Sequence, residues 1–187
     1  MPAIGSNAAN ISGLNMNGTG DFLMRDYRGQ VVVAVFGGFS WCGPCRAKGR
    51  YLEECWQSAQ ARGTQFVVCG VAESEDTLRR AMGEFGFTMP TYNGNAATIT
   101  AYEVHSVPQS FIIDKYGRIA IHHAGLVPKD VFEEDIRRVE RLSYVAPEDR
   151  EGCRNFVGTV FQMWRRGEIR LGVPTRREGD MSQVPNG

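Results

Sequence analysis

Two cysteines stand two residues apart in Trp41-Cys42-Gly43-Pro44-Cys45-Arg46, directly after an apolar run and at the opening of a helical pattern. A pair at this spacing closes into a small disulfide or opens into two thiols. Placing the first cysteine at a helix N-terminus favours its thiolate, because unpaired N–H groups and the helix dipole both attract negative charge there. The chemistry this predicts is thiol–disulfide exchange. The same spacing is also half of a zinc site, and zinc needs a second pair of ligands. Cys55, Cys69 and Cys153 form no second Cys-x-x-Cys, and His105, His122 and His123 lack the spacing of paired zinc-binding histidines, so no metal is assigned. A purely packing role is disfavoured too, since Gly43-Pro44 after Trp41 makes a constrained, partly exposed turn.

The positions of these cysteines depend on the elements around them. Val31 to Phe36 is a continuous, mostly β-branched run, the pattern of a strand buried on both faces, and Gly37-Gly38 ends it. After the cysteines, Ala47, Tyr51, Leu52, Cys55, Trp56 and Ala59 mark one face of a helix that stops at Gly63. Residues 65–71 read as a second buried strand. Ser74 caps a helix carrying Leu78, Ala81, Met82 and Phe85, closed by Gly86. Residues 87–92 read as extended and 95–103 as a short helix with Ile99 and Tyr102 inward. Residues 109–113 and 119–123, joined by a short turn, must pair antiparallel. His122 and His123 then fall on opposite faces of one strand, which is wrong for joint ligation of a metal. Residues 128–142 form a covering helix, with a solvated charged face. Cys55 and Cys69 read as small core residues.

The bulk numbers narrow the function. The 187 residues carry 21 Lys plus Arg and 21 Asp plus Glu, so the net charge is zero and nothing draws the chain to nucleic acid or to an anionic membrane. The longest fully apolar run, Val31 to Phe36, is far too short to span a bilayer. Five cysteines cannot all pair within one chain, which favours a reducing, cytoplasmic compartment. The first twenty residues lack the basic region and apolar core of a secretory signal. Removal of such a signal would instead place the protein in the periplasm or another extracytoplasmic space.

Taken together these residues resemble the thioredoxin superfamily, and more closely its TlpA-like thiol-disulfide oxidoreductases, a domain type shared with the peroxiredoxins. The resemblance runs from about Gly18 to Leu142. It rests on residues 28–33, on Trp41-Cys42-Gly43-Pro44-Cys45-Arg46, on Gly70-Val71-Ala72, on Val107-Pro108 before residues 111–114, and on Gly117-Arg118-Ile119. Residues 87–104 resemble the insertion that sets TlpA-like proteins apart from plain thioredoxins. The resemblance implies an α/β thioredoxin fold, a central mixed β-sheet flanked by helices. It further implies that Cys42 attacks, that Cys45 resolves, and that the two form a redox disulfide. Pro108 would be cis beside the cysteines, with Trp41, Gly43, Pro44, Val107 and Pro108 facing the substrate. Protein disulfides and a thiol electron donor are the implied partners, the direction is that of a reductant, and no cofactor is called for.

The chain departs from the pattern at several positions. Thioredoxins place a buried acid where Phe36 stands, and TlpA-like proteins often place one where Lys48 stands. Many relatives carry an aromatic residue at the position of Gly38 and a proline at that of Arg50. Lys48 either acidifies a nearby thiol or points to solvent. A peroxiredoxin is disfavoured, because Pro-x-x-x-Thr-x-x-Cys would need Pro and Thr where Val35 and Phe39 stand. The alternative from another class is a thioredoxin-like binding or assembly module whose redox site is secondary.

The expected organisation is a flexible or loosely docked arm over 1–17, the thioredoxin-like domain over 18–145, an extension over 146–170 and a disordered tail over 171–187. Within the extension, Cys153, Phe156, Val157, Val160, Phe161 and Trp164 form an apolar stripe on a helix over 147–166. Either this protein's own domain covers that stripe, or it is a contact for a partner or a homodimer.

Overall fold

The computed structural model describes residues 2–142. The helix expected over 147–166, with Cys153, and the tail from 171 lie outside them. The described residues form a six-stranded sheet in the order β1-β4-β3-β2-β5-β6. Its strands are β1 (Gly13–Asn15), β2 (Val32–Gly37), β3 (Gln65–Gly70), β4 (Thr91–Gly94), β5 (Gln109–Ile113) and β6 (Ile119–Ala124). The helices are α1 (Gly43–Gln60), α2 (Glu75–Phe85), α3 (Ala96–Ala101) and α4 (Lys129–Leu142).

Every residue of β2 is buried, as its unbroken apolar run requires. It pairs parallel with β3 and antiparallel with β5, while β5 pairs antiparallel with β6. The sheet is therefore mixed, with helices on both sides. One face carries Val33, Val35, Phe66, Val68 and Ile112 against α1, α2 and α4, where Leu52, Trp56, Leu78, Phe132 and Ile136 are buried. The other carries Val32, Ala34, Phe36, Val67, Cys69 and Phe111 against Tyr102, Val104 and an N-terminal segment.

Local signals set the helix ends. Ser74 and Thr77 form a reciprocal capping box at the start of α2, and Gly86 ends that helix with φ +68°. The extended segment expected over 87–92 becomes a strand only from Thr91, because Pro90 has no N–H to give to a ladder. Before β2, Phe22 makes an isolated bridge to Ile11, and Met24–Tyr27 is a 3-10 turn.

The N-terminal arm is docked on the domain. Ala8, Ala9 and Ile11 pack on the second face of the sheet, while Met16 joins the first. Ile11 is fully buried and exchanges backbone hydrogen bonds with Phe22 at 3.0 and 2.9 Å. The Tyr102 hydroxyl donates to the Ala9 carbonyl at 2.7 Å, and β1 pairs antiparallel with β4 at the sheet edge. The reason is coverage. On this face α3 is only six residues long, so apolar strand residues would face water without the arm. Gly13, at φ +144°, lets β1 approach so closely that a side chain there would collide with the Asn93 carbonyl.

Candidate active site

The parallel strand β2 ends at Gly37, and the chain turns through residues 38–41 into α1. Cys42 is the N-cap of that helix, in extended backbone, and the first turn contains Pro44, which suits a position with no helical N–H partner. Cys42 and Cys45 are joined as a disulfide with their Cα atoms 5.2 Å apart. The Cys45 N–H points at the Cys42 sulfur across 3.3 Å. Cys42 is 7% exposed and Cys45 is completely buried, so only the first sulfur can meet a partner.

The other expected site residues lie around this pair. The Val107-Pro108 bond is cis, and the Val107 carbonyl oxygen is 3.7 Å from the Cys42 sulfur. Gly43 and Pro44 are exposed, Val107 is half-buried and Pro108 is buried. Trp41 is 56% exposed, and its indole N–H donates to the Val71 carbonyl at 3.2 Å. That ring lies across Gly38, where any Cβ would collide with the indole. The departure at Gly38 thus has a local cause: the space an aromatic side chain would take is filled by Trp41.

Three side chains that hold this loop carry no signal in the sequence. Glu73, just past β3, accepts from the Ser40 N–H at 2.8 Å, bonds the Ser40 hydroxyl, and accepts from Thr77 at 2.8 Å. Arg46 donates to the Phe39 carbonyl at 3.1 Å and pairs with Glu84 on α2. Phe39 is fully buried against Phe85 and Phe87. The contacts of Glu73 with Ser40, of Arg46 with Glu84 and of Phe39 with Phe85 and Phe87 join positions more than thirty residues apart, which no local pattern reveals.

Phe36 lies on the Tyr102 and Phe111 side of the sheet, fully buried, so no carboxylate stands at that position. Lys48 does not point to solvent. It is 0% exposed, and its nitrogen sits 3.9 Å from the centre of the Phe132 ring with no hydrogen-bond partner among the described residues. Burial pushes its pKa down to about 8. The stripe that α1 actually buries is Cys45, Lys48, Gly49, Leu52, Cys55, Trp56 and Ala59. Ala47, expected on that face, is exposed.

Cys55 and Cys69 are free, buried thiols, each pushed up to about 12 by burial, with the Glu133 carboxylate adding to the effect at Cys55. Neither belongs to the site. His122 stacks on Phe111 and His123 bonds Asp135 at 2.8 Å, on opposite faces of β6. Among the described residues no group of three His, Cys, Asp or Glu is placed to hold a metal. No described helix is long and apolar enough to cross a membrane. A cavity of about 850 Å³ lined by Arg62, Thr64, Lys115 and Glu140 lies at the start of β2 and β3, at the other end of those strands from the cysteines.

Comparison with known proteins agrees with this geometry. Residues 4–139 match the family model for Redoxin. The thiol-disulfide oxidoreductases ResA of Geobacillus thermodenitrificans and Geobacillus kaustophilus are each 27% identical over 139 residues, covering 74% of this chain and 79% of theirs. Among solved structures, a thiol:disulfide interchange protein of the thioredoxin family from Chlorobium tepidum superposes with a TM-score of 0.67 at 23% identity, covering 75% of this chain and 99% of the other. A Chlorobium tepidum protein described as a thiol:disulfide interchange protein DsbE gives 0.66 at 24% identity, with 74% and 98% covered. The solved structures bear on the fold, which is that of thioredoxin. With a match that spans well over half its length, and a Cys-x-x-Cys disulfide at the head of its first long helix, the chain belongs to the Redoxin family.

Proposed function

We propose that this protein is a thiol-disulfide oxidoreductase that reduces protein disulfides through Cys42 and Cys45. The observation that carries the reading is the difference between the two sulfurs: Cys42 reaches the surface at the helix N-terminus, and Cys45 is sealed beneath it. In the reduced protein the Cys42 thiolate attacks a substrate disulfide, forms a mixed disulfide and releases one substrate thiolate, which takes a proton from solvent. Cys45 loses its proton and attacks the Cys42 sulfur. The internal disulfide closes, and the second substrate sulfur leaves as a thiolate that is then protonated. Two electrons pass to the substrate, and a thiol donor later returns two to the protein.

Trp41, Gly43, Pro44, Val107 and Pro108 form the rim against which an extended substrate chain would lie. The Val107 carbonyl, close to the Cys42 sulfur, supports that placement. Cys55 and Cys69 are buried and held as neutral thiols, inert in oxidising surroundings as well, so these two do not discriminate between compartments; Cys153 lies outside the described residues. The direction of electron flow rests on the reduction potential.

The test is a Cys45→Ser variant incubated with oxidised protein substrate. It should accumulate a mixed disulfide through Cys42 that dithiothreitol releases, and a Cys42→Ser variant should not. If no adduct is trapped, and the Cys42→Ser/Cys45→Ser double variant keeps the protein's cellular role, the chain is a binding module instead.

A further inference from the structure

Lys48 is a cation in the core without a counter-ion among the described residues. The groups around its nitrogen are few. On α1 they are the Tyr51 ring, 6.0 Å away, and Cys55, whose thiol stays neutral. On α4 it is the Phe132 ring; the carboxylate of the next residue, Glu133, is taken up by Cys55 at 3.6 Å, Arg137 at 3.3 Å and Lys129 at 3.9 Å. Asp135 is engaged by His123 of β6. Ser110 of β5 and His123 are paired across the sheet, and each keeps a buried polar atom, the Ser110 hydroxyl and His123 Nδ1, unpartnered among the described residues. Burying an ammonium against an aromatic face alone recovers only part of its lost hydration.

Lys48 stands one turn after Cys45 on the same buried face of α1, where residues three apart are neighbours. While the cysteines are joined, that face offers no negative charge. Reduction creates one. We propose that Lys48 is the counter-ion of the thiolate formed when the Cys42–Cys45 disulfide is reduced, so that its charge and the redox state of the site are linked. This rests on the dithiol reading of the two cysteines.

The balance is simple. A donor dithiol gives two electrons to Cys42–Cys45 and becomes a disulfide. Of its two protons, one stays on Cys45 as a thiol and the other leaves Cys42 as a thiolate. Where Lys48 was neutral, it takes that second proton and becomes an ammonium one turn of α1 behind Cys45, with the new anion on Cys42 at the head of the same helix. Lys48 is therefore a positioning residue: it holds charge near the sulfurs and reacts with nothing. Its effect is to favour the reduced form.

The experiment compares the full-length protein with Lys48→Met and Lys48→Gln, two neutral side chains of similar length. Thiolate absorbance at 240 nm, titrated in the reduced protein, gives the midpoint of the reactive thiol, which should rise by about one pH unit in either variant. The equilibrium constant for reduction by dithiothreitol at pH 7 should fall about tenfold, or about 30 mV. An unchanged midpoint in a folded variant, with reversible disulfide formation intact, overturns the proposal and leaves the dithiol reading standing. Absence of reversible disulfide formation in the unaltered protein defeats the reading itself. A measurement free of substitution serves if neither variant folds: the Lys48 side chain, followed by NMR in isotope-labelled protein, should titrate at higher pH when the site is reduced. Identical titration in both redox states overturns the proposal.

Discussion

The backbone N–H of Cys45 points at the Cys42 sulfur across 3.3 Å, at the first turn of an 18-residue helix. This places a hydrogen-bond donor and the positive end of the helix dipole on the outer sulfur, while the inner one has neither and lies in the core. In the reduced protein Cys42 should therefore be the thiol that limiting iodoacetamide modifies near neutral pH, at least tenfold faster than Cys45. Peptide mapping after a short pulse checks this. Modification of Cys45 first, or of both at one rate, would reverse the roles.

Lys48 supplies a prediction about stability and pH. Its pKa falls from 10.5 to about 8 on folding, so above pH 8 the unfolded chain binds more protons at this site than the folded one. Stability from this group accordingly rises with pH between about 8 and 10.5, and below that window the folded state bears the full cost of a buried cation. A shift of this size corresponds to about 3 kcal/mol. Lys48→Met should stabilise the oxidised protein by that order at pH 7, and the gain should fade toward pH 10. Cys55 and Cys69, both pushed up to about 12, act in the opposite direction above pH 9, so the difference between variant and parent is the quantity to follow in urea titrations. A variant no more stable than the parent at pH 7 contradicts the burial of Lys48.

The docked N-terminal segment gives a third prediction. Ile11 is 0% exposed in the cluster with Phe22, Phe36 and Tyr102, so Ile11→Ala should cost about 2–5 kcal/mol. Thermal unfolding checks this. A change below about 0.5 kcal/mol would mean that the segment is loose in solution.

Much of this site was legible in the chain itself, because its signals are local. The Cys42–Cys45 spacing after β2, the Ser74 cap, the left-handed Gly86 and the two buried strands each depend on neighbours in sequence. What escaped depends on distant partners. Lys48 fits the buried spacing of α1, yet a charged residue is ordinarily assigned to the water side, and only Phe132, 84 positions later, shows where it goes. The N-terminal segment is rich in Gly and Asn, which reads as mobile. Its order comes from Thr98 and Tyr102, whose hydroxyls reach Ser12 and Ala9. Glu73 holds Ser40 across a gap of 33 residues, with no motif to announce it.

Gly38 yields a prediction at the rim. Any side chain there collides with the Trp41 indole, so Gly38→Ala should displace Trp41 and break its bond to the Val71 carbonyl. Disulfide reduction should weaken through a higher KM for protein substrate, while the small dithiol dithiothreitol still reduces the site at its usual rate. Equal loss toward both would place the damage at the cysteines instead of the rim.

The reduction potential of the Cys42–Cys45 couple tests the central claim most directly. The protein is equilibrated against graded dithiothreitol and glutathione buffers, and the fraction of each cysteine in the disulfide is read by differential alkylation and mass spectrometry. The account predicts one reversible two-electron transition, confined to Cys42 and Cys45, at a potential near that of thioredoxin, on the order of −270 mV. A potential near about −120 mV would make the protein an oxidant, and the absence of any transition at these two cysteines would contradict the account altogether.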